Sequence, residues 1–141
     1  MKNLQFFFLA GALSICAVVS ASGADVKVIA NSSVQTSDVS ADDLKRVFLI
    51  TKTSLSDGSH VDPVLQKGGS THEAFLKEYI GKNDATLAVY YRSLVFTGKG
   101  AMPKVLSSDA EVAAYVAKTK GAIGYVSSGA AAEGTKTLQV K

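Results

Sequence analysis

Short runs of apolar residues alternate along the chain with longer stretches in which apolar side chains return every three or four positions. "VKVIANSS" (Val26 to Ser33) is a β-branched run ending in turn formers, the mark of a buried strand. In "SADDLKRVFLI" the spacing changes. Leu44, Val47 and Phe48 share one helical face, and Ser40 with Asp43 three residues on forms a capping-box pattern. "SDGSHVDPVLQ" turns at Asp57-Gly58 and continues as a second strand around Val61 to Leu65, where Pro63 predicts an unpaired end or edge. A helix beginning near Ser70 carries Phe75, Leu76, Tyr79 and Ile80 and ends at Gly81. A third, starting at Asn83 or Asp84, carries Leu87, Tyr90, Tyr91, Leu94 and Val95, the clearest stripe in the sequence. After the glycine-rich "TGKGAMP" (Thr97 to Pro103) come a brief strand, "KVLSS", and a fourth helix. Ser108 and Glu111 make its capping box, Val112, Tyr115 and Val116 its apolar face, and Gly121 its close. "AIGYV" and "KTLQV" follow as two strands joined by "SSGAAAEGT". Strands alternating with helices predict an α/β fold, a mixed or largely parallel sheet flanked by helices around a single core.

The first two dozen residues break the pattern. Lys2 is followed by an almost wholly apolar run, Leu4 to Val19, and then by the small residues "SASGA" ahead of Asp25. That order predicts a signal peptide over residues 1–24, cleaved after Ala21 or Ala24, with a domain over 25–141 and a periplasmic or secreted location. A membrane anchor is the competing reading, but the apolar core is short for a span and no basic cluster follows it. Cys16, the only cysteine, lies inside the apolar run, and Ile15 occupies the place where a lipoprotein signal needs a small residue. The expected exported part therefore holds no thiol, disulfide or cysteine metal site.

Charge and chemistry narrow the function mostly by exclusion. Without Lys2, 14 basic residues face 12 acids, and no basic stripe with interleaved aromatics accompanies that small excess, so nucleic acid is not an expected partner. His60 and His72 have no cysteine or paired carboxylates nearby to complete a metal set, and both read as surface histidines. Nothing assembles a nucleophile, base and oxyanion stabiliser, and "TGKG" lacks the spacing of a nucleotide loop. No cofactor, metal or enzymatic activity is expected. The loop reads as a surface element whose Lys99 offers at most a rim contact, and Tyr90-Tyr91 reads as core and core edge.

"QKGGSTHEAF" (Gln66 to Phe75) puts two glycines and two hydroxyl residues in front of an amphipathic run, the composition of a helix mouth that can receive an anion. The same letters read as an ordinary cap. Ser70 with Glu73 fits the capping box, which would fill the donors an anion needs, and Glu73 would repel a dianion that Lys67 and His72 could partly offset. Asn31, Ser32 and Ser33 end the first strand, where open α/β sheets collect ligands, so Ser32 and Ser33 join the candidate site.

"VSADDLKRVFLITKTSLSDG", "GGSTHEAF" and "TKGAIGYV", in this order and spacing, resemble the phosphate-type substrate-binding proteins of ABC transporters, which have the type II periplasmic-binding-protein fold. The resemblance covers most of Val26 to Val126, and its last stretch is the most specific. It implies a three-layer lobe, one of the two that close on a ligand in the full-length proteins. It also implies phosphate held at the turn matching Gly68-Gly69-Ser70-Thr71, with Thr71 on the family's Thr. Gly69, Ser70 and Thr71 would line the pocket, Lys67 would supply charge, and an ABC transporter or a sensor would be the partner. One departure matters. The family's phosphate-gripping Arg, six residues before the Thr, is matched by Leu65, which can give no bidentate bond. Two functions follow from the resemblance: a solute-binding lobe for phosphate or a similar oxyanion, weak unless a second chain, such as a homodimer partner, completes the cleft; or an envelope accessory protein that keeps the fold and has lost anion binding.

Overall fold

The computed structural model describes residues 26–141; the expected signal peptide lies outside the described residues. Six strands form one sheet: β1 (Val26–Asn31), β2 (Asp38–Val39), β3 (Asp62–Gln66), β4 (Lys104–Leu106), β5 (Ala122–Ser127) and β6 (Thr135–Val140), in the order β2-β6-β1-β5-β3-β4. Four helices cover it: α1 (Ala41–Phe48), α2 (Ser70–Phe75), which runs on into a π-helical turn (Leu76–Ile80), α3 (Asp84–Phe96) and α4 (Asp109–Lys118). The sheet is mixed. β1 is antiparallel to both β5 and β6, whereas β3 is parallel to β5 and β4, and β2 to β6. Pro63 pairs with Ile123 of β5 on one side and is unpaired on the other, where β3 meets β4 only from Val64 onward.

The period of two along the strands divides the core into two layers. Val28, Ala30, Leu65, Ile123, Tyr125 and Leu138 face α1, α2 and α3, together with Phe48, Phe75 and Tyr91. Ile29, Val64, Ala122 and Val126 face α4, against Val112, Ala113 and Val116. Helices thus lie on both faces of the sheet, which makes the three layers expected from the alternating pattern. Gly124 permits the close approach of α4, since a Cβ there would sit 2.9 Å from Val112 Cγ1 and 3.5 Å from Val116 Cγ2.

Three helix starts carry side-chain caps, those at Ser40 and Ser108 as expected. Ser40 Oγ accepts from the Asp43 N–H at 3.0 Å, Asn83 Oδ1 from Thr86 N–H at 2.8 Å, and Ser108 Oγ from Glu111 N–H at 3.2 Å. The α3 stripe is narrower than its periodicity suggests. Leu87 and Tyr91 are buried, Tyr90 and Leu94 are half-buried, and Val95 stands 49% exposed. Two hydroxyls add to the burial of Leu87 and Tyr91 in fixing α3: Tyr91 donates to Phe48 O and Tyr90 to Leu49 O.

Candidate functional site

At the mouth of α2 the structure separates two readings that the letters leave open. Gly69, not Ser70, is the N-cap, at φ 94° and ψ 173°, a conformation that side chains rarely adopt. Ser70 thereby becomes the first helical residue, and Glu73 falls one place too late for a capping box. The first helical bond runs from Glu73 N–H to Gly69 O at 3.0 Å, and no side chain caps the helix. The N–H groups of Ser70, Thr71 and His72 precede that bond and are the donors a helix start leaves without intrahelical partners. Lys67, Gly68, Gly69 and Ser70 are exposed and Thr71 is half-buried. A Cβ added at Gly68 or Gly69 would meet nothing within 4 Å, so the turn opens to solvent.

The turn is held at both ends by one hydroxyl. Tyr125, buried on β5 and stacked on Phe75 with ring centroids 3.8 Å apart, accepts the Gln66 N–H at 2.9 Å, and its oxygen also meets His72 Nδ1. His72 Nε2 lies 2.9 Å from Asp84 Oδ1. A carboxylate accepts, so the Asp84 contact assigns the hydrogen to Nε2, and in that neutral tautomer the Tyr125 O–H donates to Nδ1. Burial pushes the Tyr125 hydroxyl well above its ordinary range, which keeps that proton in place. The Gln66 side chain completes the support: its Nε2–H donates to Asp109 Oδ1 at 2.6 Å and to Tyr125 O at 3.0 Å. Gln66 and His72 flank the five residues Lys67 to Thr71, so the loop hangs between two anchors on Tyr125.

His72 therefore corrects the surface-histidine expectation, since it is 1% exposed. The missed signal is its spacing: 72, 75, 76, 79 and 80 form one stripe, and His72 occupies the first step of the apolar face. His60 is exposed, as expected, beside Asp62 at 3.2 Å. No group of three or more metal-ligating side chains occurs among the described residues.

Ser32 and Ser33 do not join the turn. β1 runs antiparallel to β5, and β3 runs parallel to it, so the end of β1 lies beside Ile123 and the start of β3, whereas the turn follows the far end of β3. Ser33 Oγ accepts the Gly121 N–H at 3.1 Å, and Asn31 Nδ2 donates to Val116 O and Ala117 O, which ties β1 to the end of α4. The candidate site contracts to Lys67, Gly69, Ser70 and Thr71. Leu65 is buried in the core and presents no polar group to the turn.

No protein-family model matches the sequence, and no curated protein does. Solved structures do match. Over 82% of this chain, an ABC-type phosphate transport receptor from Vibrio cholerae superposes with a TM-score of 0.54 at 13% identity. A phosphate ABC transporter substrate-binding protein from Clostridium perfringens, solved with bound phosphate, gives 0.62 at 16% identity, and PstS from Borrelia burgdorferi 0.62 at 13%. The fold is that of one lobe of a phosphate-type binding protein. This chain covers only 44 to 47% of those proteins, less than half their length. At such identities the likeness establishes architecture, and the chemistry has to be argued from this chain's own turn.

Proposed function

We propose that this domain is an exported solute-binding lobe that takes phosphate or a similar small oxyanion at the mouth of α2. One observation carries the reading: the first-turn N–H groups of α2 face an open, glycine-lined turn with no side chain filling them. The Thr71 hydroxyl and the Lys67 ammonium add a donor and a charge, and the phosphate-binding neighbours make the ligand class a natural one. With Leu65 in place of a guanidinium and a single lobe to cover the anion, affinity is weak. Export to the periplasm or beyond, and work with an ABC transporter or a sensor, follow from the same reading together with the N-terminal pattern.

Calorimetric titration with phosphate and sulfate tests it. The expected result is weak saturable heat that Thr71→Val reduces about tenfold or more in affinity, because a hydrogen bond to a charged group contributes ~1.5–3 kcal/mol. An unchanged affinity in Thr71→Val would remove that turn from the site. Absence of heat at tens of millimolar ligand would favour the accessory role over solute capture.

A further inference from the structure

The outer side of α3 points to a second surface, independent of the anion site. Val89, Arg92, Ser93 and Phe96 stand at i, i+3, i+4 and i+7, the spacing of a complete helical face, and they lie opposite the buried Leu87 and Tyr91. With Val95 and Met102 they line an open groove of about 560 Å³. Its apolar walls are bare: Phe96 is 93% exposed, Val89 60% and Met102 50%. Single exposed apolar residues are ordinary, whereas a contiguous set around a groove marks an interaction site. Arg92 is the only charged residue of the lining. Among the described residues it joins no ion pair, and its Nε–H makes only a long 3.4 Å bond to Ala88 O in its own helix.

Arg92 decides between possible occupants. Laying two copies together stripe to antiparallel stripe would set Arg92 against its own counterpart in apolar surroundings, an uncompensated like-charge contact. A lipid surface needs a cluster of roughly four to eight basic groups, and this face offers one. A carboxylate reaching the guanidinium fork supplies the missing charge with two directed bonds. We propose that the groove docks an amphipathic helical segment of a partner protein, with an apolar side chain at each end of the contact and a carboxylate between them to pair with Arg92. Val89 and Phe96 receive the two apolar anchors, one at each end of the stripe.

The test uses the purified protein and two synthetic helical peptides, each with leucines at i and i+7. One carries glutamate at i+3 and i+4, the other lysine. The glutamate peptide is expected to shift the NMR signals of Val89, Phe96 and Met102 and to bind about tenfold or more tightly than the lysine peptide. Arg92→Glu should reverse that order, and both side chains point into solvent, so the fold survives the change. The proposal is overturned by equal binding of the two peptides, or by no shifts at millimolar peptide. Sedimentation showing a dimer that Phe96→Asp dissolves would instead assign the face to a second copy. Binding to phosphatidylglycerol vesicles that Phe96→Asp abolishes would assign it to a membrane.

Discussion

Tyr125 shows how much a single polar atom can organise. Its hydroxyl serves the Gln66 N–H and the His72 ring from the middle of an aromatic cluster that also holds Phe48 and Phe75. Tyr125→Phe keeps the packing and strands both partners, so unfolding in urea should show a loss of about 1–3 kcal/mol, the penalty of a buried unsatisfied group. A loss within experimental error would mean that water or a shifted side chain satisfies those groups and that the clamp does not organise the turn. None of this network was legible at the level of composition. The partners lie 53 and 59 residues apart in sequence, and only the place of His72 in the Phe75 and Leu76 stripe hinted that the ring turns inward.

At the scale of elements, the capping-box rule succeeded at α1 and α4 and failed before α2. Ser40 and Ser108 each accept the N–H their spacing predicts. Before α2, Gly69 adopts a conformation open to glycine, starts the helix one residue early, and shifts Ser70 and Glu73 out of register for a reciprocal cap. The rule recognises letters, and the backbone at Gly69 chose the register. The α1 start carries a separate electrostatic consequence. The Asp43 carboxylate accepts from Lys52 Nζ at 2.9 Å, and that bond above all holds its carboxyl below the ordinary aspartate value. A depressed folded-state pKa contributes stability above the unfolded value, about 4, and loses it as pH falls through the folded one. Urea midpoints between pH 6 and pH 2 should therefore decline more steeply for the native chain than for Lys52→Met. Parallel curves would show that the pair contributes nothing at this half-exposed site.

The whole molecule depends on strand direction, which no local pattern records. The alternation of strands and helices was sufficient for the three layers, because period-two strands between period-3.6 helices leave few other ways to bury both faces. It was insufficient for the site. The rule that ligands gather at strand ends holds for strands pointing the same way, and β1 opposes β5 and β3, so Ser33 and Thr71 finish at opposite ends of one sheet. What remains at the Thr71 end is an open turn, with first-turn amides that no side chain caps and no guanidinium. Phosphate titrated into ¹⁵N-labelled protein, followed at the backbone amides, measures that most directly. A saturable shift should concentrate at Gly69, Ser70, Thr71 and His72 while Ser32 and Ser33 stay still, and movement elsewhere alone, or none at tens of millimolar phosphate, would contradict the account.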